Sequence, residues 1–283
     1  MTRSSGTVPA EPTGALPPLG AVRGFMFDVD GTLVHRRADG SAVPLPGAPE
    51  VLERIRASGR PLVLFTNGSH ASSETIAQGL SRDGVGVCAR EVITPVDSAL
   101  AHLQSRHRNS AVLLFATAAT RERIGAAGVR LVDSEDADVV LVAHVDEIDM
   151  ASLERGARAV AGGAALYTAS YVPSYAGASG PIFSRGAMVT AAIAKVSGAR
   201  PRVLGKPSRP AIAEVGKRLG LPTEQLAVIG DDMKMDIPLG HLGGSLTVLV
   251  RSGVSDTVDL RSVPAARRPH AVIDSVGDLL AAL

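Results

Sequence analysis

A chain of 283 residues can hold two modest domains or one large one, and a formal net charge of +1 gives a polyanion no reason to bind. No basic run with interleaved aromatics suggests nucleic acid, and no 18-residue apolar stretch suggests a membrane span. The single cysteine, Cys88, excludes an internal disulfide and fits a reducing, cytoplasmic compartment.

The first 20 residues are rich in Pro, Gly and Ser, lack an apolar stretch long enough for a signal segment, and are expected to form a disordered tail. An apolar run predicts a strand over 24–29, and the polar stretch His35–Pro46 predicts a hairpin flap. An amphipathic helix over 49–58 follows, then strand 61–66, helix 72–82, a short strand near 91–94 and helix 96–106. After the basic break Arg106–Asn109 a second series begins, with strands 111–115, 129–132, 138–143 and 164–168 and helices near 119–127 and 151–161. A helix from Arg185 to Val196 is expected to return the chain to the first unit. That unit is completed by Arg202–Gly205, helix 209–219 and strands 226–230, 246–250 and 271–273. Interleaved strands and helices predict an α/β fold, a parallel sheet with helices on both faces. The expected division is a core over 21–107 and 185–283, with a second α/β unit over 108–184 inserted in it.

Chemistry gathers at four strand ends. Phe25-Met-Phe27 delivers Asp28 and Asp30 and stops at Gly31. Open parallel sheets bind ligands just beyond the carboxyl ends of their strands. Two acids there are costly unless they hold a cation or move protons. One can attack as a nucleophile while its neighbour handles the proton. Pro61–Phe65 ends in Thr66-Asn67-Gly68-Ser69, and Val203-Leu204-Gly205 runs into Lys206-Pro207. Leu226–Gly230 ends in Asp231-Asp232, with Asp236 five residues after Asp231. Only four of the 29 basic residues are Lys (195, 206, 217 and 234), so a lysine kept at 206 is informative.

These four segments resemble motifs I to IV of the haloacid dehalogenase superfamily. Their spacing is similar to that of its C2-capped, type IIA (NagD-like) phosphatases. The likeness runs from about residue 22 to the C-terminus and includes Pro46-Gly-Ala48 and Gly205-Lys-Pro-Ser208. It implies a Rossmann-like core with an inserted C2-type cap, and hydrolysis of a small phosphomonoester through an aspartyl-phosphate. By this resemblance Asp28 is the nucleophile and Asp30 the general acid and base. Asp28, the Asp30 main-chain carbonyl and Asp231 hold Mg²⁺, for which Mn²⁺ can substitute. Asp236 orients metal-bound water or Lys206, with Asp232 as the rival acid for either role. Thr66 and Asn67 hold the phosphoryl oxygens through hydroxyl and backbone N–H, and Lys206 offsets charge on nucleophile and phosphate. The charge count agrees: up to four carboxylates plus a dianionic substrate face one lysine, so a hard cation is needed. His and Cys are absent at zinc spacings. The partner implied is a small-molecule phosphate ester, with no nucleic acid and no membrane, and with a homodimer left open.

Where substrate choice would be set, the chain departs from its relatives. They often carry Thr-Asn-x-Asp near the end of the cap, and here the row is Thr168-Ala-Ser-Tyr171. All three tyrosines, Tyr167, Tyr171 and Tyr175, fall within nine residues. Tyr171 and Tyr175 are candidates to stack on a planar leaving group, or are ordinary packing residues. His144 is a candidate for the same cleft, or a solvated residue beyond a strand. Arg36, with Arg37, is a candidate to meet a second anionic group, or plain exposed charge. The motif residues have plainer readings too: Asp28 and Asp30 as turn caps, Thr66 and Asn67 as a helix cap, Lys206 as a surface lysine. The same core also serves phosphoryl transfer, dehalogenation or silent ligand binding. Asp30 speaks against a dehalogenase, and the intact acids with Thr66 and Lys206 speak against a silent binder.

Overall fold

Short apolar runs with every residue buried become the strands of parallel sheets, because helices must cover both faces. A computed structural model describes residues 16–37, 39–69, 71–175 and 182–283, the side chain of Tyr175 excepted. In chain order β1 is Gly24–Phe27, β2 Val34–Arg36, β3 Ala42–Pro44, α1 Ala48–Ala57, β4 Leu62–Phe65, α2 Ser73–Arg82, β5 Val92–Ile93 and α3 Pro95–Arg106. Next come β6 Val112–Phe115, α4 Ala118–Ala126, β7 Leu131–Val132, β8 Val139–Val142, α5 Met150–Ala161 and β9 Ala165–Thr168. The remainder is β10 Ser174–Tyr175, β11 Ile182–Phe183, α6 Arg185–Ser197, β12 Arg202–Val203, α7 Arg209–Leu219, β13 Leu226–Gly230, α8 Asp236–Gly243, β14 Leu246–Val250 and β15 Ala271–Ile273.

The first sheet has six parallel strands in the order β15-β14-β13-β1-β4-β5. Alternation along β1 sends Phe25 and Phe27 to one face and Met26 to the other. Phe25 and Phe27 pack with Val51, Leu52 and Ile55 of α1 and with Val276 and Leu279 near the C-terminus. Met26 packs with Ile212 and Val215 of α7 and Leu239 of α8. The second sheet has five parallel strands in the order β12-β9-β8-β6-β7. One face meets α3 and α4 through Val96, Leu103 and Ile124. The other meets α5 and α6 through Val160, Val189 and Ile193. The flap is the antiparallel hairpin of β2 and β3, with His35 opposite Val43.

Three expectations are corrected. The sequence pattern places α3, α6 and β12 with the first unit, whereas packing places them on the second sheet. Val96, Ala99 and Leu103 of α3 bury against Val112, Leu114 and Leu141, and Arg202 pairs with Tyr167 of β9. The chain therefore crosses between sheets at Thr94–Pro95 and again at Leu204–Lys206. The crossings touch: Gly205 N–H donates to Ala169 O at 2.8 Å, and a Cβ at Gly205 would meet that oxygen and lie 3.0 Å from Pro95 Cβ. Secondly, the expected tail is docked at its end. Leu19 is buried in the core and its carbonyl accepts from Arg60 Nη1 at 3.1 Å, while residues 1–15 lie outside the described residues. Thirdly, α8 and the β10–β11 pair have no counterpart in the sequence pattern. Among the described residues, no helix is long and apolar enough to cross a membrane.

Asp97 links the layers. It caps α3 with Thr94, accepts from Arg123 of α4 at 2.5 Å and lies 3.6 Å from Arg218 of α7. Burial works against its charge, but Thr94 and Arg123 outweigh it and hold the carboxyl below its ordinary range. Asp97→Ala removes the cap and leaves two guanidinium groups short of a partner. It is expected to cost about 3 kcal/mol, read as a lower urea midpoint with an unchanged m value.

Candidate active site

The order of the first sheet places β1 between β4 and β13, so connections leave it in both directions and open a crevice at its carboxyl end. Asp28 stands there, its N–H donating to Ile229 O at 2.8 Å as the last rung beside β13. The chain then turns sharply. Gly31, at φ +84°, donates to Val34 O at 2.8 Å, and Leu33 N–H returns to Val29 O at 2.9 Å.

Lys206 enters this crevice from the second crossing, just before a cis peptide to Pro207, and is fully buried. Its Nζ lies 2.5 Å from Asp28 Oδ1, 2.8 Å from Asp236 Oδ1 and 5.6 Å from the centre of the Phe65 ring. Burial alone would lower the lysine's pKa; the Asp236 and Asp28 carboxylates outweigh it and raise it.

Asp231 directly follows β13 and receives Val254 N–H on Oδ2 at 2.7 Å. Glycines make room for it: a Cβ at Gly31 or Gly253 would overlap its carboxylate, and one at Gly230 would overlap that of Asp236. One carboxylate oxygen from each of Asp28, Asp231 and Asp236 lies within 4.8 Å of the others. Burial pushes all three carboxyls up. Lys206 opposes that for Asp28 and Asp236, while repulsion from Asp236 adds to the rise at Asp231, which reaches about 6. Three carboxylates against one ammonium leave two negative charges uncompensated in a buried, all-oxygen site. That donor set fits a hard divalent cation.

The other expected residues divide. Asp30 does not join the carboxylate cluster; its side chain is half exposed and accepts from Arg36 Nε at 2.6 Å. Asp232 turns away and accepts Lys234 N–H at 2.6 Å, while its own N–H donates to Asp236 Oδ2 at 3.1 Å. The acid that competes with Asp231 is thus a turn residue, and Asp236 stands nearer the centre than the sequence implied. Thr66 is buried at the end of β4, with its N–H committed to Ile93 O and its hydroxyl oxygen accepting Gly68 N–H at 3.1 Å. Asn67 follows it with a buried, unpartnered Oδ1. Tyr171 is 39% exposed beyond β9, whereas Tyr167 is buried with its hydroxyl 3.1 Å from His107 Nε2. Tyr175 lies in β10, its side chain outside the described residues. His144, after β8, places Nε2 3.5 Å from Asp146. A depression of about 290 Å³ lined by Ala77 and Ser81 of α2 and by Cys88 contains none of the site residues.

Buried acids and a hydroxyl at three strand ends of the first sheet thus meet a buried lysine brought in from the second. A haloacid dehalogenase-like hydrolase model matches residues 25–130, and a HAD-hydrolase-like model matches residues 203–279. The chain belongs to the haloacid dehalogenase-like hydrolases. It is similar to the ribonucleotide monophosphatase NagD of Escherichia coli K12, with 28% identity over 91% of this chain and 98% of NagD. The solved NagD structure superposes with a TM-score of 0.82. Rat chronophin is 28% identical, over 94% of this chain and 89% of its own. The p-nitrophenyl phosphatase of Archaeoglobus fulgidus is 25% identical, with a TM-score of 0.80 over 93% of this chain and 99% of its own. The chain is a NagD-like phosphatase of that family.

The raised carboxyls carry a sign that can be checked. A carboxyl whose folded pKa exceeds its unfolded value destabilises the fold above the folded pKa, and the penalty fades as pH falls toward the unfolded value. For Asp231 that window runs from about 6 down to 3.8. In chelator, Asp231→Asn is expected to raise Tm at pH 7.5, with the advantage shrinking as pH falls through 6. An advantage that stays constant from pH 7.5 to 4.5 would contradict the charge argument.

Proposed function

We propose that the protein is a Mg²⁺-dependent hydrolase of small phosphate monoesters that works through an aspartyl-phosphate. The observation that carries this reading is the buried trio Asp28, Asp231 and Asp236 with Lys206 as its one close cation among the described residues. Asp28 and Asp231, with the Asp30 main-chain carbonyl, would hold the ion. When bound, it would supply positive charge to the trio and to the phosphoryl oxygens. Asp28 then attacks phosphorus as the ester P–O bond breaks, and Asp30 gives its proton to the leaving oxygen. In the second half Asp30 takes a proton from water, which attacks phosphorus and frees Asp28 with release of inorganic phosphate. Lys206 fixes the Asp28 carboxylate and neutralises part of the gathered charge. The Thr66 hydroxyl and Asn67 N–H hold the phosphoryl oxygens.

The second α/β unit is assigned the role of a C2-type cap that roofs the crevice and reads the leaving group. A roofed site suits small phosphorylated metabolites, and the activities named for NagD and the p-nitrophenyl phosphatase support that class. Without the acid and amide of Thr-Asn-x-Asp, selection falls to Tyr171, Tyr175 and His144. Tyr171→Ala is then expected to change KM and substrate ranking, with kcat on p-nitrophenyl phosphate held within about tenfold. The single Cys88 supports a reducing cytoplasmic setting.

Activity on p-nitrophenyl phosphate is expected to vanish in chelator and return with Mg²⁺, and Asp28→Asn is expected to abolish it. Asp30→Asn is expected to lose about 10²–10⁴-fold on alkyl phosphates and much less on p-nitrophenyl phosphate, whose leaving group needs little proton assistance. Full turnover by metal-free protein or by Asp28→Asn would overturn the proposal.

A further inference from the structure

The contact between Arg36 and Asp30 is unusual in its placement. Asp30 is the one acid of the motif that stands outside the buried carboxylate cluster, and its partner is a guanidinium on the flap. The two side chains are 36% and 50% exposed, a range in which an ion pair adds little to stability. The backbone beneath them is held at several points. Asp30 forms a bridge with Val34, and Gly31 N–H donates to Val34 O. Leu45 N–H donates to Leu33 O at 2.8 Å, and Arg36 is paired with Ala42 across the hairpin. Ala42 N–H in turn donates to Asp83 Oδ2 at 2.7 Å, which fastens the hairpin to the end of α2. A half-exposed carboxylate is thus tied to a side chain whose own base is fixed.

We propose that Arg36 is a positioning residue for Asp30, holding the carboxylate on the flap side of the crevice for proton transfer to and from the substrate oxygen. The inference rests on the phosphatase reading above and adds to it a residue that never touches the reacting atoms. The physical basis is orientation. Proton transfer requires the acid within hydrogen-bond reach of the leaving oxygen, and an unpaired half-exposed Asp samples several rotamers, most of them out of reach. A substrate-binding role for Arg36 would have to use its Nη donors, since its Nε–H is given to Asp30.

A double-mutant cycle separates these roles. Phenyl phosphate and p-nitrophenyl phosphate are compared as substrates of similar size that differ in their need for a proton. Arg36→Gln is expected to lower kcat on phenyl phosphate about tenfold with KM nearly unchanged, and to cost far less on p-nitrophenyl phosphate. Arg36→Lys, which restores a cation without the guanidinium geometry, is expected to recover part of the loss. In the Asp30→Asn background, Arg36→Gln is expected to cost nothing further. An equal loss in both backgrounds, a raised KM with kcat intact, or a kcat that is unchanged or higher would overturn the role of Arg36. A phosphatase that still works after Asp28→Asn would instead overturn the mechanism on which the proposal rests, so the two failures are distinguishable.

Discussion

Burying a lysine ammonium costs several kcal/mol unless carboxylates meet it, and Lys206 is buried between two, Asp28 and Asp236. That contact determines much else. It ties the end of β1 to the start of α8 and to the strand-to-helix turn that begins at Gly205. Asp236 can reach the lysine only because Gly230 has no side chain, and Asp231 fits beside Asp28 only because Gly31 and Gly253 have none. Removing the lysine would leave three buried carboxylates facing one another. Adding a second lysine would neutralise the charge that a divalent cation needs to find. The arrangement is a balance set two charges short.

The sheet explains why these groups meet. β1 lies where the strand order reverses, with β13 on one side and β4 on the other, so the ends of three strands surround one crevice. Lys206 arrives by a different route, from the strand that closes the second sheet. The residue before it, Gly205, lies in one crossing and packs against Ala169 after β9 of the second unit and against Pro95 of the other crossing. A shift of that unit is therefore felt within one residue of the site's cation. This gives the cap a direct mechanical connection to the charge centre.

Much of this was legible in the sequence because apolar runs ended in chemically specific residues. Asp28, Thr66, Lys206 and Asp231 each follow a buried strand or crossing, and the strands around them lie within a residue or two of the pattern. What was not legible has physical causes. Helix α8 contains Pro238, Gly240 and Gly243, residues that read as breakers. Its glycines are there because Gly240 packs against Thr247 and Val228, and Gly243 against Ile212. The allegiance of α3 was hidden because one buried stripe looks the same whichever sheet it covers; Val96, Ala99 and Leu103 face the second. Leu19 lay unnoticed in a Pro- and Gly-rich segment, since one apolar residue has no periodicity. Adjacent acids were indistinguishable by type, and only backbone direction separates the buried Asp231 from the turn-capping Asp232. For Arg36 the sequence offers a second anionic group or plain exposed charge, and not Asp30, because that partner is six positions away across a turn of undetermined geometry.

Asp28 and Asp30 sit two residues apart, have the same side chain and occupy opposite environments. Asp28 is buried against a lysine and two further acids, where its charge is held in place and water is scarce. Asp30 is half exposed on the flap side, where protons can come and go through solvent. A nucleophile benefits from the first setting, because a fixed and poorly hydrated carboxylate needs little reorganisation to attack. The proton carrier proposed at Asp30 suits the second, because it must give a proton to the leaving oxygen and take one from the attacking water. The turn at Gly31 accompanies this difference: β1 ends at Phe27, Asp28 keeps a last rung to Ile229 O, and Asp30 lies beyond the sheet. The two roles proposed for this one residue type rest on a backbone that changes direction between them.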